Sequence, residues 1–345
     1  MRLKNFNISK LLSKQQDAAK DTQHNTIPAA EDSPDITHPL LKNIPPGVKQ
    51  GRDNEDRVLL TLHKFGWLTT RQIAQTVWPD SKSSIAMARR VLNRLKDRKC
   101  LVSRALPQQN RAWVLSAEGV RRLHKNGYQS AKRGTDLLRG KKANAWFHRW
   151  LANEILIQSG LPFESFATEY EIQGFRSPLS VYPPYTRSYL GKIPDALHIQ
   201  QSANGRTYLT WIEVELSKKR ISDLRNLIQF IVQAFCEDHI ISEKLYLSSI
   251  RLFFAHNGSN PETTRKAIQY IHRIVSELRK EMHQYESELH PDTWHEIRLQ
   301  ILENTIVHLL DIRQGPIFKG LTQKTRLGGI LHYQNTQDIQ EMLIG

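Results

Sequence analysis

The chain has 345 residues, with 49 Lys and Arg against 34 Asp and Glu and a formal net charge of +15, a balance that points to an anionic partner, nucleic acid before an acidic membrane surface. No apolar run approaches the roughly 20 residues of a membrane span and no signal-peptide core is present, so the sequence predicts a cytoplasmic protein without membrane insertion. The 2 cysteines, Cys100 and Cys236, have no Cys or His at ligand spacing, which argues against both a disulfide framework and a zinc site.

The length suits about two domains. Residues 1–51 are polar and Pro-marked (IPPG at Ile44 to Gly47) and read as a flexible tail, with a short helix near Ile8–Leu12 as an option. Periodicity begins at Asn54. DRVLLTLHKF predicts a helix, Gly66 a turn, and TTRQIAQTVWP a second helix capped by Thr69 or Thr70 and stopped near Pro79. A third helix follows with Ser83 or Ser84 as N-cap, Ala86, Val91, Leu92 and Leu95 for packing, and the cations Arg89, Arg90, Arg94 and Lys96. Two short strands, CLVSRAL and RAWVLS, flank the turn PQQN, and Arg111 opens the second. Three helices and a two-stranded wing over residues 52–125 are the order of a winged helix-turn-helix, whose third helix enters the DNA major groove. Such modules also mediate protein contacts, and exposed Arg residues commonly form a solvated face. Residues 126–142 continue a basic connector that starts with Arg121 and Arg122 and ends with Lys141 and Lys142, suited to phosphates.

Residues 143–320 read as a second domain, followed by a tail over 321–345. NAWFHRWLANEILIQ has apolar residues at helical spacing, FESFATEYEI reads as a strand, and a loop with adjacent prolines carries Tyr182, Tyr185 and Tyr189. The strands KIPDALHIQ and RTYLTWIEVEL then flank a turn at Ala203–Gly205. SDLRNLIQFIVQAFCED is a helix, SIRLFFAH a strand and ETTRKAIQYIHRIVSELRKEM a long helix; TIVHLLDI is a strand, and WHEIRLQILE suits either state. The expected class is α+β or α/β, a winged helix followed by an α-β-β-β-α-β domain.

Strand alternation places Asp195 on a face with Ile193, Leu197 and Ile199, and places Glu213 and Glu215 beyond Leu209 and Trp211. A carboxylate on a core-like face must be neutralised, paired or bound to a metal. The second face therefore leaves the core and opens into a cleft. If the two strands are neighbours, three carboxylates converge, and hard oxygen ligands of this kind suit Mg²⁺ or Mn²⁺. Lys218, Lys219 and Arg220 offer the alternative of local salt bridges.

IPD at Ile193–Asp195 and IEVELSKK at Ile212–Lys219, within this element order, resemble the restriction-endonuclease-like PD-(D/E)XK nucleases. With a winged helix in front, residues 54–255 resemble the replication-relaxation family of mobile-element proteins, including mobilization relaxases of the MobC type. The resemblance implies nicking of double-stranded DNA at a transfer or replication origin, with accessory mobilization or relaxosome proteins as partners. It makes Asp195 and Glu213 metal ligands. Glu215 stands where the nuclease pattern has Lys, so either Glu215 is a third ligand or base, or Lys218 swings back to the developing charge. Glu154 matches the acid that many such nucleases carry on the opening helix, its alternative being an exposed helix carboxylate. His148 is a candidate for the scissile phosphate, and Glu169 and Glu171, on one face of the first strand, stand in reserve. A homodimer would make double-strand breaks. The competing readings are a winged-helix initiator or regulator without catalysis, and a transposition or repair nuclease with the same chemistry.

Overall fold

A computed structural model describes residues 46–106, 111–138, 143–174, 176–177, 193–216, 221–236, 240–242, 245–256, 260–286, 290–313 and 326–331. The Ile8–Leu12 segment, the PQQN turn, Lys141, Lys142, the three loop tyrosines and Lys218–Arg220 lie outside them. The packing below belongs to one unit, Gln50–Gly345.

The first described helix, α1 (Pro46–Phe65), begins inside the segment expected to be tail. Pro46 at its start suits the first turn, where a missing N–H is not needed by the helix. Val58, Leu59, Leu62 and Phe65 recur at helical spacing and are buried. Gly66 turns the chain with φ 77°, and a Cβ there would stand 2.7 Å from the Tyr170 ring. Only glycine satisfies both the left-handed backbone and the contact. The next helix, α2 (Thr70–Val77), starts at a capping box in which Thr69 and Gln72 exchange side-chain and backbone hydrogen bonds.

In helix α3 (Ser84–Asp97) the buried residues are Ala88, Val91, Leu92 and Leu95. Ala86, expected in the packing stripe, is exposed. Ala88 replaces it because it precedes Val91 and Leu92 by three and four residues and so falls on their side. Strands β2 (Leu101–Ala105) and β3 (Arg111–Leu115) pair antiparallel, and an unexpected strand β1 (Leu68–Thr69) adds to β3, giving the order β1-β3-β2. The start of the expected connector is helix α4 (Ala117–Lys125), where Ser116 accepts from the backbone of Glu118 and Gly119. Beyond it the chain packs down, with Gly134 N–H donating to Leu115 O at 3.0 Å.

Helix α5 (Ala143–Gln158) carries the buried Trp146, Trp150, Leu151 and Ile155. One apolar cluster runs through it from Val58 to Ala255, across the boundary expected at 142/143. Trp146 meets Trp67 edge-on at 4.7 Å, Gln72 donates to Trp150 O at 3.0 Å and Asn153 to Trp67 O at 3.2 Å. The helical module is thereby fastened to α5 by apolar contact and by satisfied buried polar groups.

The larger sheet contains β4 (Phe166–Thr168), β5 (Ala196–Gln201), β6 (Thr207–Glu215), β8 (Leu245–His256), β9 (Thr305–Arg313) and β10 (Arg326–Leu331) in the order β10-β9-β8-β6-β5-β4, with β7 (Ile240–Ser242) pairing β8. Strands β4, β5 and β6 pair antiparallel, whereas β8 lies parallel to β6 after the crossover helix α7 (Ile221–Cys236). The ambiguous segment is helix α9 (Pro291–Asn304), after the long α8 (Pro261–Glu286). The expected α-β-β-β-α-β order is thus present with two additions, a short helix before β5 and strand β7 before β8. Only Phe166–Thr168 of FESFATEYEI is strand, because Thr168 and Glu171 form a capping box that starts helix α6 (Glu169–Gln173). Glu169 and Glu171 therefore do not share a strand face.

Both sheet faces are covered. Ala196, Ile212, Val214 and Phe253 pack in the cluster containing α5, while Leu197, Leu209, Trp211 and Leu252 pack in the one containing α7 and α8. Alternation along β5 and β6 sends successive residues to opposite cores.

Candidate functional site

Asp195 lies at a bend one residue before β5, so the strand begins later than expected. Ala196 pairs with Ile212, and the ladder continued by one residue brings Asp195 beside Glu213. Its carboxylate takes over part of the ladder: Oδ2 accepts from Val214 N–H at 2.8 Å, while Asp195 N–H donates to Ile212 O at 3.0 Å. His148, on α5, places Nε2 2.9 Å from Val214 O and 3.4 Å from Asp195 Oδ2. With a proton on Nε2 it donates to the carbonyl and faces the carboxylate, so the same imidazole nitrogen meets both groups. Asp195, Val214 and His148 form one contiguous unit.

Glu213 and Glu215 do not open into a cleft; each is 3% exposed. Trp211, two residues earlier on the same face, donates its indole N–H to Glu213 Oε1 at 2.6 Å. The signal for this pair was in the sequence, since a Trp two positions from a Glu on a strand shares its side. Among the described residues no group of three or more His, Cys, Asp or Glu side chains is placed to hold a metal ion. The described donor set thus falls short of a Mg²⁺ or Mn²⁺ cage. Asp195 and Glu213 each already give an oxygen to a neutral donor.

Glu154 belongs elsewhere. It lies six residues after His148 on α5, about a third of a turn away around the helix and roughly 9 Å along it. It accepts from Gln158 at 3.0 Å and is 2% exposed, so it is not the exposed helix carboxylate of the alternative reading. Burial pushes its pKa up, opposed by the Gln158 hydrogen bond and the charge of Arg71. A carboxyl whose folded pKa is raised holds its proton more tightly in the folded state, so stability falls as pH rises from the ordinary value of 4.5 through the folded value. Glu154→Gln lacks that decline. Its denaturation midpoint is expected to pull ahead of the wild type above pH 4.5 and to hold a constant lead above the folded pKa; a variant less stable than wild type at pH 7 would show that the ionised carboxylate is bound favourably.

Next to His148, Arg149 was not singled out by sequence reasoning. Its side chain is 7% exposed and Nη2 lies 2.6 Å from Glu169 Oε2. Glu169 N–H in turn donates to Asp195 O at 3.2 Å. This chain of contacts joins α5, α6 and the Asp195 bend.

The cations of the helical module divide into two sets. Glu55 of α1, its side chain 2% exposed, holds Arg98 and Arg122 at 2.7 Å each and Arg94 at 3.2 Å, and Arg122 also reaches Asp56 at 2.7 Å. Arg121 pairs with Glu118 and Arg111 donates to Ser103. Arg94 and Arg122, expected as DNA contacts, therefore also tie α3 and α4 to α1. The side chains of Arg89, Arg90 and Lys96 are exposed and make no ion pair or hydrogen bond among the described residues.

The protein is a mixed α/β molecule in which a helical module with a small sheet packs through α5 on a larger sheet, whose middle strand β6 ends in acids beside the Asp195 bend. The replication-relaxation family model matches residues 59–213, a stretch that includes Arg89, Arg90, His148, Asp195 and Glu213 but stops before Glu215. No curated protein and no solved structure matches the chain. No helix among the described residues is long and apolar enough to cross a membrane.

Proposed function

We propose that this protein binds double-stranded DNA at an origin of replication or transfer of a mobile element and nicks one strand there. Binding rests on the winged-helix reading of α1–α4 with the wing β2–β3. The observation that carries it is the exposed cationic face of α3, whose side chains have no ion-pair partner among the described residues, within the replication-relaxation match. A face with Arg89, Arg90 and Lys96 uncommitted has its charge available for phosphates.

The nicking reading rests on the PD-(D/E)XK order of α5, β4, β5, β6, α7 and β8, on Asp195 beside Glu213, and on His148 against Asp195. In it Asp195 holds the end of β6 through Val214 N–H, and His148 keeps that carboxylate in place. Mg²⁺ or Mn²⁺ is the cofactor this reading calls for, with Asp195 and Glu213 as its ligands, although among the described residues no third carboxylate or imidazole is placed to complete the site. A specific observation favours a second reading, a winged-helix initiator or regulator that binds without cutting: Asp195 Oδ2 and Val214 O are both engaged in internal hydrogen bonds.

Incubating supercoiled DNA, including DNA from the protein's genetic neighbourhood, with Mg²⁺, Mn²⁺ or EDTA separates the two. Wild type with metal is expected to yield open circles, and Asp195→Asn, which keeps an acceptor for Val214 N–H, is expected to yield none while melting like wild type. Retention of duplex without open circles under every metal would establish the binding-only reading.

A further inference from the structure

On the exposed side of α3, Ala86, Arg90 and Asn93 follow one another at spacings of four and three residues, opposite the buried stripe Ala88, Val91, Leu92 and Leu95. They form a line about 10 Å long on the helix crest. Arg89 and Lys96 stand on one flank of it. None of these five side chains is occupied internally: all five residues are exposed, and the four polar side chains make no hydrogen bond or ion pair among the described residues. This distinguishes them from Arg94, on the opposite flank, which reaches Glu55.

Asn93 is the informative member. Asn is a poor helix former, and here it occupies the interior of a 14-residue helix, neither capping it nor bonding to its backbone. An Asn side chain offers one acceptor and donors in a fixed amide plane, which matches adenine N6 and N7; a guanidinium matches guanine O6 and N7, and a small methyl-bearing residue such as Ala packs on a thymine methyl. Flanking cations on a helix seated in a groove reach phosphates instead.

Resting on the duplex-binding reading above, we infer that α3 is read out by position. Asn93 pairs with an adenine, Arg90 with a guanine and Ala86 with a thymine methyl in the major groove, while Arg89 and Lys96 hold the backbone without regard to sequence. Asn93 and Arg90 are then specificity-determining residues, and Arg89 and Lys96 are affinity residues.

Selection from a random duplex pool by the full chain tests this. The substitutions are exposed, and thermal melting verifies that each variant is folded. Wild type is expected to enrich a site containing adenine and guanine. Asn93→Ala and Arg90→Ala are each expected to lose preference at a different single base pair, by about 5- to 150-fold, with the rest of the site unchanged. Arg89→Ala and Lys96→Ala are expected to select the wild-type site, to bind every sequence more weakly, and to reduce the salt slope by about one. The assignment is overturned if Asn93→Ala and Arg90→Ala select the same site as wild type. A wild type that enriches no duplex overturns the duplex-binding reading itself.

Discussion

Glu55→Ala is expected to destabilise the protein by about 2–3 kcal/mol, more than any change in the exposed cations of α3. Among the described residues Glu55 is the one ion-pair partner of Arg98, and it is shared with Arg94 and Arg122, so its loss leaves three guanidiniums gathered around a void. Removing one partner of a fully buried pair costs roughly 3–5 kcal/mol, because the remaining charge stays desolvated. The value here is lower because the Arg94 and Arg98 side chains are 41% and 57% exposed and water can reach them. Urea denaturation would measure the shift. Arg121→Ala, which breaks only an exposed pair with Glu118, should change stability by less than about 0.5 kcal/mol. Equal effects from the two substitutions would remove the special standing of Glu55. A reduced duplex affinity in Glu55→Ala would follow from displacement of α3 against α1, and it would appear together with the stability loss.

A second large effect is expected from Glu169→Gln, which leaves Arg149 charged in a site where its side chain is only 7% exposed. One of its terminal nitrogens, Nη1, is buried and has no hydrogen-bond partner among the described residues, and the Gln amide oxygen that takes the carboxylate's place accepts a hydrogen bond but carries no charge. The loss should be about 2–3 kcal/mol, below the roughly 3–5 kcal/mol of a fully buried pair, because a neutral acceptor remains and the Glu169 side chain is 21% exposed. Replacing both partners by Met removes the stranded charge and is expected to recover most of it, since a buried ion pair and a packed apolar pair often have similar free energies. Denaturation midpoints of the two variants would test this, and a Glu169→Gln midpoint equal to wild type would show that the pair contributes nothing. Because Glu169 N–H is bonded to Asp195 O, the same variant is expected to loosen the Asp195 bend. Slower hydrogen exchange in Glu169→Gln than in wild type for the amides of residues 195–196 would contradict that coupling.

Local sequence carried much of the secondary structure. The Thr69 capping box, the stripe Val91, Leu92 and Leu95, the alternation of β5 and β6, and the crossover from β6 through α7 to β8 all follow from interactions within a few residues or from a period of 2 or 3.6. Two departures have separate causes. Glu169–Ile172, the end of FESFATEYEI, alternates acidic and apolar residues as a strand does, yet the Thr168 cap satisfies the free backbone donors of a helical turn and starts a helix there. Ala86 and Ala88 could not be told apart, since an alanine fits either side of a helix and only the neighbouring elements decide which side is covered.

For the candidate site the same division holds with greater consequence. The sequence by itself determined that Asp195 and Glu213 lie in two strand-like segments joined by a short turn, close together if those segments pair, and that α3 carries cations, because strand alternation and helical period are short-range properties. Only the tertiary structure decided which charges are already engaged. Glu55 meets Arg94, Arg98 and Arg122 across 39 or more residues of chain, and Asp195 meets His148 across 47. A charged residue looks the same in sequence whether its partner is water, DNA or a side chain from a distant helix. The energy that distinguishes these cases, desolvation set against pairing, exists only once the distant segments have been packed together.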